Sequence, residues 1–175
     1  MPNLSKRIFL PFADSLPIIL LFILVFTGFD LSFFISEMNF SFNFVYILIF
    51  FWVLRDPEAL GYGIIFLAGI INDVVQNFPI GISSINFLLL CAIAAFVRAR
   101  TLLPNILYDW IIFFIAIIIV SSINYSVITI VFEIPIKYGT LMASSFLSFL
   151  AYPLISKIFD TIHSMNQERR NNEQN

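Results

Sequence analysis

One carboxylate in this 175-residue sequence lies inside a stretch that is otherwise apolar. Asp73 follows Asn72 within residues 61–81, whose composition is typical of a membrane helix. An aspartate at the centre of such a helix costs roughly 2.5–3.5 kcal/mol, so it normally faces the bundle interior or a wet cavity and has a polar partner. Asp73 is therefore the first candidate for a functional contact. A buried structural role, with hydrogen bonds from neighbouring side chains or from amides of the next turn, has equal support.

Catalytic chemistry has little support among the other residues. The single histidine, His163, follows the last apolar segment, and the single cysteine, Cys91, has no acid–base partner in its own segment. The sequence contains no His-Glu-x-x-His metal pair, no Gly-x-Ser-x-Gly nucleophile motif and no glycine-rich phosphate loop. An aspartyl dyad of Asp73 and Asp109 requires that the two carboxylates share a proton, and the helices predicted below place them at opposite ends. We therefore expect no enzymatic activity, no cofactor and no metal.

The composition is that of a membrane protein. Hydrophobic residues make up 60% of the chain and charged residues 11%, whereas soluble domains carry about 25% charged residues. The mean hydropathy is +0.97. The net charge of -2 offers no basic surface for a nucleic-acid partner. These values predict an all-α polytopic membrane protein whose main surroundings are the lipid bilayer.

Six apolar segments approach the roughly 20 residues that a helix needs to cross a bilayer. They predict a single membrane domain of six transmembrane helices over residues 1–165. The polar residues 166–175 have nothing to bury and predict a disordered cytoplasmic tail. The predicted helices cover residues 16–34, 40–54, 60–76, 82–97, 108–132 and 138–159.

The basic residues are divided unevenly between the two sides of this arrangement. Of the nine Lys and Arg residues, only Lys137 falls on one side. The positive-inside rule then places both termini in the cytoplasm. The residues on the cytoplasmic side are Lys6, Arg7, Arg55, Arg98, Arg100, Lys157, Arg169 and Arg170.

Small and polar residues recur at helical spacing in three of the predicted helices. Gly61, Ile65, Gly69 and Asp73 follow one another every four residues, which indicates that the third helix packs inside the bundle. A second polar set lies on the fifth and sixth helices and is interpreted as ordinary helix packing, with a ligand-lined cavity as the less favoured alternative. Its members include Asn124, Ser144, Ser148 and Tyr152.

Residues 55–81 contain a specific motif. It reads Arg55-x-Pro57-x-x-x-Gly61, then Gly69-x-x-x-Asp73 and Pro79-x-Gly81. This motif resembles the central signature of the rod shape-determining protein MreD family, although Asn72 stands where an aliphatic residue is usual.

The resemblance implies a component of the bacterial cell-elongation machinery in the inner membrane. Members of the family partner the bitopic periplasmic protein MreC, and with it they connect the cytoplasmic actin-like MreB to wall-synthesising enzymes. On this resemblance the motif residues, together with Asn72, are candidates for binding MreC or for supporting the fold. Other membrane proteins of the elongation complex are then indirect partners.

A small-molecule-binding membrane subunit is the alternative function. Six helices in a chain of this length also resemble the substrate-binding subunits of energy-coupling-factor vitamin transporters, which form a similar compact bundle. Those subunits dock on a coupling protein through small residues, commonly Ala-x-x-x-Ala in the first helix. The predicted first helix, residues 16–34, contains no alanine. The difference favours a scaffold over a transporter subunit.

Overall fold

The computed structural model describes residues 4–28, 33–35, 38–40, 42–57, 59–100, 105–133 and 138–174. Over these residues the predicted all-α architecture with six helices is confirmed, with the addition of one short hairpin. The helices are α1 (Leu4–Thr27), α2 (Phe44–Arg55), α3 (Tyr62–Gln76), α4 (Ile82–Arg98), α5 (Ile106–Val131) and α6 (Tyr138–Gln174). The hairpin pairs β1 (Phe33–Ile35) with β2 (Met38–Phe40) in antiparallel register.

Consecutive helices run in opposite directions, so the bundle has two distinct ends. At one end, Asn43 before α2 contacts Ser148, which lies early in α6. At the other end, Arg55 closes α2 and contacts Asp160, which lies late in α6. We call residues 77–81, which connect α3 to α4, the elbow, and the end of the bundle that carries them the elbow end. The second, which carries Arg55, is called the arginine end.

Helix α2 forms the centre of the bundle. It packs against α1, α4, α5 and α6, and every residue from Ile47 to Val53 is buried. A helix that is apolar on all sides is stable only when other elements surround it. Phe50 lies edge-on to both Phe113 of α5 and Tyr152 of α6, with ring centroids 5.2 and 6.1 Å apart. The aromatic core therefore joins the three helices α2, α5 and α6.

The helices differ in length, and the difference determines which ends must be satisfied inside the protein. Among the described residues, α5 and the part of α6 from Tyr138 to Ser164 are long and apolar enough to cross a membrane. The apolar helices Phe44–Arg55, Tyr62–Gln76 and Ile82–Arg98 are shorter. A helix of 12 residues such as α2 is about 18 Å long, against about 30 Å for the hydrocarbon core.

The first two predicted helices have different bounds in the structure. The first begins at Leu4 instead of residue 16. It ends at Thr27 instead of residue 34, because Gly28 takes a left-handed φ of 54° that glycine tolerates. Residues 29–32 of the prediction lie outside the described residues, and β1 occupies residues 33–35. The second helix begins at Phe44 instead of residue 40, since Phe40 pairs with Phe33 in the hairpin. Hydropathy did not reveal this hairpin because its residues are as apolar as the helices beside it.

The sixth helix continues beyond its predicted end at residue 159. It remains helical to Gln174, through most of the segment 166–175 for which the composition predicts a disordered tail. Glu, Gln and Arg are good helix formers. Adding residues to an existing helix also avoids the unfavourable nucleation step. Polarity alone was therefore a poor guide to the backbone of this segment.

Candidate functional site

The elbow between α3 and α4 begins with a regular helix stop. Asn77 takes a left-handed φ of 56°, a conformation that asparagine tolerates better than most residues. The Phe78 amide donates to the Asp73 carbonyl oxygen at 2.9 Å, and the Asn77 amide donates to the Val74 carbonyl oxygen at 3.4 Å. This pair of bonds is the Schellman motif, which satisfies carbonyl groups at the end of a helix.

The side chain of Asp73 starts the next helix. Its carboxylate accepts hydrogen bonds from the backbone amides of Gly81 at 2.7 Å and Ser83 at 2.9 Å. These amides lie at the first turn of α4, where a helix has no internal acceptors for its N–H groups. Gly81 has no side chain to cap α4, so Asp73 supplies the acceptor from a neighbouring helix. Gly81 itself takes a φ of 106°, which favours glycine.

The cap explains why a carboxylate is tolerated at this depth. Asp73 is fully buried, and an isolated buried charge is strongly unfavourable. Here two amide donors and the positive end of the α4 dipole face the carboxylate. A carboxylate at a helix N-terminus contributes typically 0.3–1 kcal/mol, and up to about 2 kcal/mol where it is partly buried. The arrangement corresponds to the structural role that the sequence left open.

Close packing of α3 on α4 holds the elbow in place. A Cβ on Gly69 would overlap the Cα and the amide nitrogen of Ser84, so only glycine allows the two backbones to approach this closely. Ser84 donates its hydroxyl to the Phe66 carbonyl oxygen at 3.0 Å. Asn72 donates from Nδ2 to the Ser83 hydroxyl at 2.9 Å. Close packing at small residues and hydrogen bonds across helices both contribute to helix association in a membrane.

Polar contacts continue from the elbow across the other helices at the same end. Asn86 of α4 donates from Nδ2 to Oδ1 of Asn124 in α5 at 2.9 Å. The hydroxyls of Ser121 and Ser145 lie 2.8 Å apart and join α5 to α6. Each of these contacts satisfies polar atoms that lipid would leave unpaired.

We call these contacts between α4, α5 and α6 the polar layer, and a serine of α6 at the same end of the bundle also caps α2. Ser148 of α6 accepts a hydrogen bond from the Asn43 amide at 2.9 Å and donates its own hydroxyl to the Ser144 carbonyl oxygen at 2.8 Å. Ser148 lies ten residues after Tyr138, or about 15 Å along the axis of α6. Helix α2 therefore begins well inside the bundle, where another helix must provide its cap.

A charged cluster closes the arginine end. The Arg55 Nε atom lies 3.4 Å from Asp160 Oδ1, and its Nη2 atom lies 4.0 Å from Asp109 Oδ2. The Arg55 side chain is 14% exposed and that of Asp160 is 45% exposed. The Arg55 guanidinium also lies 5.6 Å from the centroid of the Phe51 ring. One guanidinium thus connects α2, α5 and α6, at the opposite end of the bundle from Asp73.

The structure divides the motif residues between the two ends of α3. Gly69, Asn72 and Asp73 lie together with Pro79 and Gly81 in or beside the elbow. The remaining three, Arg55, Pro57 and Gly61, lie at the arginine end, where Gly61 precedes α3 and its carbonyl oxygen accepts the Ile64 and Ile65 amides.

The residues of the second polar set, on α5 and α6, also lie in two different places. Asn124, Ser144 and Ser148 lie in the polar layer near the elbow end. Tyr152 is buried further along α6, where its ring stacks on Phe113 at a centroid distance of 4.6 Å.

Sequence reasoning missed several residues of these two sites, and it considered Asp109 only as a partner of Asp73. Ser83 and Asn86 at the elbow end, and Asp109 and Asp160 at the arginine end, complete contacts whose other members were predicted. Acidic residues near the ends of apolar segments are a signal for pairing with Arg55. Their pairing itself depends on which helices are neighbours.

Long and short apolar helices, joined through buried interhelical hydrogen bonds, are typical of the class of helical membrane proteins. The chain matches the family model of the rod shape-determining protein MreD over residues 7–162, and it belongs to that family. Membership indicates that the protein is a structural component of the cell's shape-determining system and takes part in determining rod shape. No curated protein and no solved structure matches the chain significantly.

Proposed function

We propose that this protein is a non-catalytic, multi-pass scaffold of the bacterial inner membrane that binds MreC and supports the coupling of MreB to peptidoglycan synthesis. Membership of the MreD family supports this role. The observation that carries the proposal is the braced elbow. A buried carboxylate fixes a short turn whose outer surface remains apolar and exposed at one end of the bundle.

The elbow surface suits a membrane-embedded partner. Ile80 is 72% exposed, and Phe78 and Val74 beside it are also exposed. Between residues 59 and 97 the only charged side chain is that of Asp73, which is buried. An apolar surface of this kind is compatible with lipid and with the transmembrane or juxtamembrane segment of another protein, and it is held rigid by the hydrogen bonds to Asp73. We assign MreC to this surface.

Orientation follows from the distribution of basic residues. Arg55, Arg98 and Lys157 lie at or near the arginine end, which the positive-inside rule assigns to the cytoplasm. Lys137, the basic residue assigned to the opposite side, lies outside the described residues. The elbow then faces the periplasm, on the side of the membrane where MreC has its soluble part. Both termini are cytoplasmic in this proposal.

Hydrogen bonding in the polar layer favours the scaffold over a small-molecule-binding subunit. Asn124 accepts from Asn86, and Ser148 accepts from the amide of Asn43. These groups would be the natural ligand contacts in a cavity, and here they join helices instead. Extending the first helix to Leu4 adds Ala13 but creates no Ala-x-x-x-Ala spacing.

The first test compares two exposed isoleucines at the same end of the bundle. Association with MreC of the same cell is measured by pulldown from detergent for wild type, Ile80→Ser and the control Ile130→Ser, whose side chain is 77% exposed on α5. We expect wild-type protein and Ile130→Ser to bind and Ile80→Ser to lose most of the binding. Absence of wild-type association, under conditions where a known membrane pair associates, overturns the proposal. A search for small molecules bound to the purified protein is then the next step.

The second test changes the brace beneath the surface. Asp73→Asn keeps one acceptor oxygen for two amide donors, whereas Asp73→Leu keeps none. An unsatisfied buried donor costs about 1–3 kcal/mol, so we expect stability and MreC binding to fall in the order wild type, Asn, Leu. The buried thiol of Cys91, the only cysteine in the chain, reports folding through its protection from a thiol-reactive dye. Full MreC binding by folded Asp73→Leu at matched membrane levels contradicts a role of this cap in binding.

A further inference from the structure

One face of α4 is left uncovered by the helices around it. The helix packs against α2, α3 and α5, while Ile85, Ala92 and Phe96 remain exposed on its remaining side. Arg100 follows in the turn that ends the helix and is also exposed. Spacings of seven, four and four residues place these four side chains along one stripe of the helix surface. The stripe is apolar over its length and cationic at its end.

Arg100 is held at the end of this stripe by an aromatic ring. Its guanidinium carbon lies 4.4 Å from the centroid of Phe96, closer than the 5.6 Å between Arg55 and Phe51. A stacked guanidinium interacts with the ring through its face and keeps its N–H groups free at the edges. The ring therefore orients the cation without using its hydrogen-bond donors.

The charge at this position is not neutralised within the described part of the chain. There, neither Arg98 nor Arg100 forms an ion pair with a carboxylate, in contrast to Arg55 with its two aspartates. Arg98 makes one long hydrogen bond, from Nη1 to the Val53 carbonyl oxygen at 3.5 Å. Arg98, two residues earlier, therefore reaches towards α2, and Arg100 is the exposed guanidinium where this apolar face ends.

The dimensions of the stripe match one phospholipid. Ile85 and Phe96 are eleven residues apart, or about 16 Å along the helix, close to half of the roughly 30 Å hydrocarbon core. An acyl chain lying on this face would place its headgroup phosphate beside Arg100. Arginine matches phosphate geometry through paired N–H donors. We propose that Arg100, stacked on Phe96, binds the phosphate of an anionic phospholipid in the leaflet at the arginine end.

Native mass spectrometry of the full-length protein tests this site. Wild type, Arg100→Ala, Arg100→Lys and Phe96→Leu are compared for retention of dioleoyl phosphatidylglycerol and of dioleoyl phosphatidylcholine. Lys157→Ala, which removes an exposed cation from α6 near the same end, is the matched control. Because a basic residue near an anionic membrane surface contributes about 1 kcal/mol, we expect Arg100→Ala to reduce retention of phosphatidylglycerol about fivefold. Arg100→Lys and Phe96→Leu should give smaller losses, and the control should match wild type.

Three results overturn the proposal. The first is wild-type retention of phosphatidylglycerol by Arg100→Ala, and the second is an equal loss for Lys157→Ala, which would indicate a general charge effect. The third is displacement of the lipid by millimolar inorganic phosphate, which would indicate a site for free anions. Protection of Cys91 from the thiol dye verifies that each variant is folded. None of these readouts involves MreC, so this inference and the proposed scaffold role stand or fail separately.

Discussion

Asp73 serves two helices through two different parts of the same residue. Its carbonyl oxygen accepts the Phe78 amide where α3 ends, and its carboxylate accepts the Gly81 and Ser83 amides where α4 begins. Because the side chain is fully buried, it affects the protein surface only by fixing the conformation of the elbow. We therefore interpret Asp73 as a positioning residue, and in the proposed function the partner contacts the exposed side chains of the elbow.

Gly69 and Gly63 provide a matched comparison on α3. A methyl group at Gly69 overlaps the Ser84 backbone, whereas one at Gly63 meets no atom within 4 Å. We expect Gly69→Ala to destabilise the protein by about 1–3 kcal/mol through overpacking. Gly63→Ala should be neutral or stabilise by up to about 1 kcal/mol, since alanine favours the helix. Thermal unfolding in detergent, followed by exposure of the Cys91 thiol, measures both. Equal midpoints for the two variants would contradict the close helix crossing at Gly69.

At the scale of the helix, α2 and α4 are both short helices whose first amides are capped by another helix. Each begins deeper in the bundle than the ends of the longer helices beside it. Asp73 of α3 caps α4, and Ser148 of α6 caps α2. Water is not available at such positions in a membrane, so the first amides of a helix need protein acceptors. The caps thus allow short helices to lie inside a bundle whose outer helices are long.

The cap on α2 is tested with a pair of serines. Ser148→Ala removes the acceptor for the Asn43 amide, while the control Ser126→Ala removes an exposed hydroxyl that bonds within its own helix. Loss of an N-cap side chain costs about 0.5–2 kcal/mol. We expect Ser148→Ala to lower the unfolding midpoint and to speed hydrogen exchange in the first turn of α2. A control variant that loses as much stability would show that the effect is not specific to the cap.

Across the whole molecule, different chemistry joins the helices at the two ends. Neutral hydrogen bonds join α3, α4, α5 and α6 towards the elbow end, and the Arg55 cluster joins α2, α5 and α6 at the other. A hydrogen bond between membrane helices contributes about 0.6 kcal/mol on average. No single contact of this kind is sufficient, and the bundle is stabilised by their sum together with the aromatic packing around α2.

The proposed orientation is tested by labelling two new cysteines in intact cells. In a Cys91→Ala background, Glu133→Cys introduces a thiol at the elbow end and Thr161→Cys one at the arginine end, both at exposed positions. The positive-inside rule predicts that a membrane-impermeant maleimide labels the first from outside. The second should react only after the membrane is permeabilised. The reverse pattern would invert the bundle and place the elbow surface in the cytoplasm.

The sequence by itself determined the features that depend on neighbours along the chain. Apolar runs predicted six helices, and four-residue spacing placed Gly69 and Asp73 together on an interior face of α3. Each of these signals is local, because a helix repeats every 3.6 residues.

Only the tertiary structure decided which distant groups meet. Asp73 had several candidate partners, and packing α3 on α4 brought the Gly81 and Ser83 amides to it. Arg55 had several carboxylates within its side of the membrane, and the arrangement of α2, α5 and α6 selected Asp109 and Asp160. Hydropathy treats all apolar helix faces alike, so it cannot specify which faces touch. That choice is made by shape and by the requirement that every buried polar group find a partner.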